Sequence, residues 1–413
     1  MRELLLALLF VSAARLETAS ATHAEAAGTH SGTHNSLAPS PAGINKTMAF
    51  STSSEWPYAH NSGWALLPAP FNRIAVVFQS SRTHEGAASQ VIMLATSDDG
   101  GATFSAPTTI AGNGSAAAWA PTAFADGAVL RVFFAQAPAS APTLLCGDLM
   151  HVSSADGGRT WAAPELVLSR AAWVAGVKCP DNKPAQVAPN QWALPVMSDA
   201  PRGGAVSGLI AARPGAGMAG PWAPLAGSIP SPPPPNASAD PYVYPEPAIA
   251  SCAAALPTPP PTWEMRAWLR NFEHTWAARS HDGGASWGAP FATPLTNPYS
   301  KVDLAVWQGG GGSAPRSGPQ AGALLLAHNP VANCTRPTYC PRTPLGVSWS
   351  PDCGAAWSRP LLLETNPHGA SYPTIAPCGG GRICVSYTLY DASASGCAGI
   401  AFAAFDVGLL APM

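Results

Sequence analysis

Short apolar runs alternate with turns rich in glycine, proline and aspartate along most of the chain. Examples are "VIMLAT", which precedes Ser97, and "LGVSW", which precedes Ser350. Apolar runs of this length that are bounded by turn residues are typical of β-strands. The pattern therefore predicts an all-β protein with many short strands and tight hairpins.

One turn motif occurs four times, each time after a predicted strand. Its copies begin at Ser97, Ser154, Ser280 and Ser350, and they share the pattern S-x-D-x-G-x-[T/S/A]-[W/F]. The aspartate can accept hydrogen bonds from nearby backbone amides, and the glycine supplies a positive φ. The aromatic residue buries a large face under the turn. We therefore interpret the motif as structural rather than catalytic.

The spacing of the four copies predicts the number of structural units. The interval between the second and third copies is about twice the others, which predicts a degenerate copy near residue 217. The stretch "AARPGAGMAGPWAP" lies there and keeps the turn and Trp222, but it has lost the aspartate. Together with the β-rich segments at both ends, units of roughly 60 residues predict a six-bladed β-propeller. A strand near "NKTMAFST" is expected to close the ring by pairing with the last blade.

Composition restricts the partners of the protein. Charged residues make up 11% of the 413 residues, and the formal net charge is −2. The charges form no long blocks, which argues against nucleic acid or an anionic membrane surface as a partner. We expect a monomer without stable membrane insertion.

The N-terminal sequence predicts export. Residues 1–21 have the layout of a secretory signal peptide, with an apolar run from Leu4 to Ala14 that is too short to span a bilayer. A lipid-embedded anchor is the alternative. Residues 22–45 are expected to be a flexible segment, and residues 46–413 the propeller. The expected location is outside the cell or in the lumen of the endomembrane system. Four N-x-S/T sequons agree weakly with this location: Asn45, Asn113, Asn236 and Asn333.

The nine cysteines fit disulfides better than a metal site. Cys378 and Cys384 could close a hairpin, and Cys334 and Cys340 could close a loop. Neither pair has zinc-site spacing with histidine ligands nearby. No metal or other cofactor is predicted.

The repeated turn motif is the Asp-box, and its recurrence in a six-bladed arrangement resembles the sialidase (neuraminidase) superfamily over roughly residues 50–410. Several segments also resemble its BNR-repeat branch and stand in the expected order, among them "LRNFEHTWAARSHDGGASW", "LTNPYSKVDL" and "ASYPTI". The resemblance implies a site at the propeller axis. There, arginines hold a substrate carboxylate, a tyrosine paired with a carboxylate acts as nucleophile, and an acid protonates the leaving oxygen.

The resemblance implies roles for individual residues. Tyr372 falls at the position of the nucleophile, and Glu246 falls at the position of its carboxylate partner. Arg270 and Arg342 fall at the second and third clamp arginines. The first clamp arginine is absent, because the equivalent stretch reads "YAHNSGWALLP".

Other residues have weaker assignments. Glu85 is the candidate acid, although a solvated loop residue is the alternative. Asn297 and Asp303 are candidate substrate-binding groups or turn residues, and Lys183 is a further candidate for an anionic ligand. Tyr372 could instead be a core aromatic, and the two arginines could be surface residues.

Two classes of function remain open. The first is an exo-glycoside hydrolase that acts on a terminal acidic sugar of a glycoconjugate or polysaccharide, with sialic acid as one possibility. The second is a non-catalytic glycan-binding propeller, or a propeller enzyme that acts on another polysaccharide. Convergence of the five candidate side chains on one pocket would favour the first class.

Overall fold

The computed structural model describes residues 37–38, 41–138, 147–173, 178–180, 182–199, 205–215, 217–232, 245–252, 264–309, 318–332, 341–392, 396–410 and 412. The expected signal peptide, the sequons at Asn236 and Asn333, and Cys146, Cys334 and Cys340 lie outside these residues. Within the described residues, no helix has the length and hydropathy needed to cross a bilayer. The same residues contain no cluster of His, Cys, Asp and Glu that could hold a metal ion.

The described residues form 25 β-strands in six antiparallel sheets, which confirms the predicted six-bladed propeller. The strands of blade one are β2 (Tyr58–Leu67), β3 (Arg73–Ser81), β4 (Val91–Ser97) and β5 (Thr108–Ala111). The strands of blade two are β6 (Ala116–Asp126), β7 (Val129–Pro138), β8 (Asp148–Ser154) and β9 (Glu165–Leu168). In each blade the first strand contacts the first strand of a neighbouring blade, so these strands surround the axis.

Blade three departs from the expected four strands, because two short strands share its inner edge. Both pair with the same neighbour. Its strands are β10 (Lys178–Cys179), β11 (Ala185–Ala188), β12 (Gln191–Asp199), β13 (Ala205–Ala212) and β14 (Trp222–Ile229). The degenerate turn predicted near residue 217 lies between β13 and β14, the position that the Asp-boxes occupy in other blades.

Blades four and five have four strands each. Those of blade four are β15 (Ala248–Ser251), β16 (Met265–Leu269), β17 (Phe272–Ser280) and β18 (Phe291–Pro298). Those of blade five are β19 (Asp303–Val306), β20 (Leu324–His328), β21 (Leu345–Ser350) and β22 (Leu361–Glu364). A disulfide between Cys252 and Cys353 joins these two blades.

The two ends of the described chain meet in blade six and close the ring. Its strands are β23 (Ala370–Pro377), β24 (Arg382–Tyr390), β25 (Cys397–Asp406) and β1 (Ile44–Ser51), followed by a short 3₁₀ helix, η1 (Val407–Leu409). β1 pairs antiparallel with β25, which confirms the predicted closing strand. The disulfide between Cys378 and Cys384 confirms the predicted hairpin pair.

The hydrophobic core lies between neighbouring blades. One cluster joins Val77 of blade one to Phe134 of blade two, and another joins Leu325 of blade five to Tyr387 of blade six. Each sheet therefore buries both faces against its neighbours, as propeller blades must. The axis is the one place where polar side chains of several blades can meet.

The four Asp-boxes connect the third and fourth strands of blades one, two, four and five. In each box the serine hydroxyl donates to the aspartate, and a glycine amide at positive φ donates to the serine. Blade six has no such hairpin, because its third and fourth strands come from opposite ends of the chain. This topology accounts for the missing box of blade six, and the lost aspartate accounts for the missing box of blade three.

Candidate active site

Backbone strain marks one level of the propeller axis. Five non-glycine residues have positive φ there: Asn61 (46°) in β2, Ala120 (46°) in β6, Glu246 (40°) just before β15, Tyr299 (59°) just after β18, and Tyr372 (56°) in β23. The pairing register of β2, β6 and β23 shifts at these residues, as expected for β-bulges. Bulges re-aim side chains, and strained backbone concentrates at functional sites.

Three side chains from blades four and six form a closed hydrogen-bonded group. The Tyr372 hydroxyl donates to Glu246 Oε1 at 2.8 Å. Arg270 Nη1 donates to the same hydroxyl oxygen at 2.7 Å and lies 2.6 Å from Glu246 Oε2. All three residues are buried. The alternative reading of Tyr372 as an ordinary core aromatic does not fit these polar contacts.

Burial determines the resting protonation of this group. Burial raises the pKa of the Tyr372 phenol well above its usual value, although Arg270 and Arg342 oppose that effect. Burial alone would lower the pKa of Arg270, but the Glu246 carboxylate raises it above the ordinary value. Tyr372 therefore keeps its proton at rest, and that proton already points at Glu246.

Arg342 also lies close to the tyrosine ring. Its guanidinium carbon is 5.4 Å from the Tyr372 ring centroid, and its Nη2 donates to the carbonyl oxygen of Tyr299 at 3.1 Å. The Arg270 guanidinium carbon lies 3.9 Å from the Tyr299 ring centroid. The two guanidinium groups flank the same phenol, so the surface-residue alternative does not hold for either arginine.

Glu85 lies in the loop between β3 and β4, and its side chain is exposed. Gln79 Nε2 donates to its Oε1 at 3.0 Å. Although the side chain keeps solvent contact, the surrounding protein partly desolvates it, and this desolvation together with the Glu246 charge raises the pKa of Glu85. Its charge also affects the pKa of Tyr372. A carboxyl group with a raised pKa can serve as a proton donor.

Asn297 and Asp303 are engaged with other parts of the protein. The Asn297 amide holds the turn at Ser300, accepting from its backbone amide at 2.7 Å and donating to its carbonyl at 3.0 Å. Asp303 pairs with Lys183 and accepts from the backbone amide of Ile375 at 2.8 Å. A substrate-binding role for these residues stays a prediction.

Sequence reasoning missed two polar side chains at this site. His60 of β2 lies against Tyr372, with ring centroids 4.2 Å apart and the ring planes inclined by 58°. Lys301 is 1% exposed, and its Nζ lies 3.4 Å from Asn61 Oδ1 and 5.9 Å from the Tyr372 ring centroid. A lysine in the run "SKVDL" that ends up fully buried must have polar surroundings. That run was the signal that could have identified Lys301.

Buried asparagines brace the backbone of the site. Asn182 Nδ2 donates to the carbonyl oxygens of Glu246 at 3.2 Å and Pro247 at 3.1 Å. Asn329 Nδ2 donates to the carbonyl oxygens of Arg342 at 3.1 Å and Ala370 at 2.8 Å. These bonds tie neighbouring blades together next to the strained residues.

The profile of the BNR repeat-like domain matches residues 72–385, which is most of the chain. The chain belongs to the BNR repeat-like domain family. No curated protein matches it.

Solved structures with the same fold include sialidases at low sequence identity. A Hadza microbial sialidase is 15% identical with a TM-score of 0.61, over 86% of this chain and 67% of that one. The intramolecular trans-sialidase from Ruminococcus gnavus is 13% identical with a TM-score of 0.63, over 89% of this chain and 98% of that one. A protein of unknown function from Dyadobacter fermentans is 12% identical with a TM-score of 0.61, over 89% of this chain and 100% of that one. At these identities the likeness shows the fold alone, so any activity of this BNR repeat-like protein must be argued from its own site.

Proposed function

We propose that this BNR repeat-like protein is a sialidase-like exo-glycoside hydrolase. It removes a terminal acidic sugar, sialic acid or a related one, from a glycoconjugate or polysaccharide. The observation that carries the proposal is the hydrogen-bonded group of Tyr372, Glu246 and Arg270 at the axis. A buried phenol whose proton points at a carboxylate is the arrangement that an activated tyrosine nucleophile requires.

The first step forms a glycosyl–tyrosine bond. The Tyr372 oxygen attacks the anomeric carbon while its proton moves to Glu246, over the 2.8 Å hydrogen bond already present. The bond between the anomeric carbon and the leaving oxygen breaks, and Glu85 gives its proton to that oxygen. Attack by a neutral phenol avoids repulsion from an acidic sugar, whose carboxylate Arg270 and Arg342 hold.

The second step returns the enzyme to its starting state. Water attacks the anomeric carbon and gives one proton to the Glu85 carboxylate. The bond to Tyr372 breaks, and Glu246 returns the phenolic proton. Two displacements at one carbon retain the anomeric configuration. The anomeric configuration of the released sugar therefore tests whether the reaction proceeds through two displacements.

The test of the proposal is the release of a fluorogenic phenol from a panel of terminal glycosides. The panel contains α-sialosides, β-glucuronides and neutral glycosides. The wild-type protein should cleave at least one acidic member, and Tyr372→Phe should lower turnover by more than about 10³-fold because the nucleophile is lost. Affinity for the acidic product should stay within a few fold, since the ring and both arginines remain.

Tyr387→Phe is the matched control. Tyr387 is also buried, and its hydroxyl donates to Glu364 Oε2 at 3.2 Å, but it lies away from the axis in the contact between blades five and six. This variant should keep wild-type turnover. Equal activity of Tyr372→Phe and the wild type would rule out Tyr372 as the nucleophile. Binding of glycans without cleavage of any panel member would leave the glycan-binding propeller as the function.

We further propose that the protein is exported and carries glycans. The disulfides Cys252–Cys353 and Cys378–Cys384 suit an oxidising compartment. Asn45 and Asn113 are exposed in the folded protein, so their sequons are accessible. Enzymatic deglycosylation should lower the apparent mass of protein that a eukaryotic host secretes. Retention of an unglycosylated protein inside such cells would contradict the proposal.

A further inference from the structure

Blade one presents His60 to the site, within the stretch that contains no arginine. The residue is 7% exposed, and its ring centroid lies 4.2 Å from that of Tyr372 and 6.2 Å from that of Tyr390. No hydrogen bond joins either ring nitrogen of His60 to another described residue. Neither nitrogen is among the described side-chain atoms that are fully enclosed without a partner. A polar ring placed this way can bind a ligand.

Three cations from other parts of the ring act electrostatically on His60: Arg342, Lys301 and Arg270. Burial, followed by the charges of Arg342, Lys301 and Arg270, lowers the pKa of the His60 imidazole well below its usual value. The imidazole is therefore neutral in the empty site at neutral pH. Among the described residues, the stretch 58–68 of blade one therefore contributes no permanent positive charge to the site.

An acidic ligand would raise the pKa of His60 again. A carboxylate held between Arg270 and Arg342 offsets the two guanidinium charges that oppose protonation of His60, and it attracts an imidazolium directly. Arg342 is the cation with the largest effect on His60, so an anion bound to Arg342 acts where the coupling is strongest. Proton binding and anion binding at this site must then favour each other.

We propose that His60 is the third cation of the anion clamp and takes up its proton only when an acidic sugar is bound. The proposal rests on the proposed function, because it requires Arg270 and Arg342 to hold the acidic group. His60 would thus add a conditional charge where the chain has no arginine. Affinity for acidic sugars should rise as the pH falls, by up to about tenfold per pH unit.

Other titratable groups also face this cavity and could take up the proton. These titratable side chains are two carboxylates and three phenols: Glu85, Glu246, Tyr58, Tyr372 and Tyr390. Glu85 is the main competitor, because a nearby anion raises the pKa of a carboxyl group as well. The phenols are already protonated below pH 7. The experiment must therefore separate His60 from Glu85.

The experiment is calorimetric titration with free N-acetylneuraminic acid and free glucuronic acid, which carry no glycosidic bond to hydrolyse. Titrations between pH 7 and pH 5 in two buffers with different heats of ionisation count the protons taken up. The wild type and Glu85→Gln should each approach one proton per ligand as the pH falls. His60→Gln should take up none, and its affinity should not depend on pH.

A second measurement covers the case in which His60→Gln does not fold. In protein labelled with ¹³C-histidine, the imidazole resonance of His60 should move to the protonated position on addition of ligand at pH 5.5. Binding without proton uptake would overturn the role of His60. Proton uptake that survives in His60→Gln and disappears in Glu85→Gln would also overturn it. Either result would leave the proposed function intact. Failure of both acids to bind would overturn the clamp itself, and the proposed function with it.

Discussion

The Asp-box turns and the axial site both depend on hydrogen-bonded carboxylates, but they are built over different distances along the chain. In the first box, Asp99 accepts bonds from Ser97 and Thr103, which lie two and four residues away. At the axis, Tyr372 binds a carboxylate 126 residues away and an arginine 102 residues away. The turns are therefore local structures repeated around the ring, whereas the site exists once and needs the closed ring.

The pKa values of titratable groups are also shifted in opposite directions in the two regions. In the turns, hydrogen bonds from Thr103 and Ser97 hold the pKa of the exposed Asp99 well below its usual range. At the axis, burial raises the pKa of Tyr372 well above its usual value. Water and local donors keep the turn carboxylates ionised, while the site keeps a proton where it can be transferred.

The largest expected effect comes from Arg270→Met. The substitution removes a buried cation and leaves the Glu246 carboxylate unpaired, which should cost about 3–5 kcal/mol of unfolding free energy in urea. Arg270→Met combined with Glu246→Gln should recover much of that loss, because no buried charge remains. Equal urea unfolding midpoints for Arg270→Met and the wild type would show that the ion pair does not contribute to the free energy of unfolding.

Glu85→Gln should have the next largest effect, and it should act on catalysis alone. General acid catalysis contributes about 10²–10⁴-fold, so kcat on a substrate with a poor leaving group should fall by this factor. The loss in kcat/KM should be small for an activated phenol, which leaves without a proton. Hydrolysis of the glycosyl–tyrosine intermediate should still slow, because Glu85 also accepts a proton from the attacking water. The acid works in its protonated form, so wild-type kcat/KM should fall as the pH rises through the raised pKa of Glu85. A variant that keeps this alkaline decline would exclude Glu85 as the acid.

Asp282→Ala should lower stability and leave the activity of folded molecules unchanged. Asp282 accepts from the Ser286 amide at 2.9 Å and from the Ser280 hydroxyl at 2.8 Å. Loss of these bonds should cost about 1 kcal/mol, as at a helix cap. Although partial burial opposes the shift, the bonds from Ser286 lower the pKa of Asp282. A lowered carboxyl pKa stabilises the protein above the unfolded value of about 4, so the stability difference should shrink as the pH falls below that value. A drop in turnover with unchanged melting would place this turn in the site.

Ser286→Ala should have the smallest effect, and it sharpens the comparison among the turns. The Ser286 hydroxyl donates to Asp282 Oδ2 at 2.5 Å. The fourth box has Ala356 at this position, so the residue there donates to the aspartate only through its backbone amide, at 2.8 Å. The variant therefore copies a box that the protein already tolerates. Thermal melting should show a loss of about 0.5–1 kcal/mol, and a loss larger than that of Asp282→Ala would contradict this account.

The sequence predicted part of the candidate site because its residues keep their order relative to the Asp-boxes. Arg270 and Arg342 precede the third and fourth boxes, and Tyr372 follows the fourth. The structure brings these residues together with Glu246. Their roles stay predictions. Asn297 and Asp303 could not be assigned in the same way, since a turn residue and a ligand-binding residue look alike in one sequence.

The sequence by itself determined the number of blades, the hairpin turns and the strand that closes the ring. Each of these depends on contacts within one blade, or on a pattern repeated in several blades, so it leaves a regular signal along the chain. Only the tertiary structure decided that His60 and Lys301 stand beside Tyr372, because these residues come from blade one, from the loop before β19 and from blade six. A contact between blades that occurs once produces no period in the sequence. The physical reason is that the ring must close before these groups share one desolvated cavity.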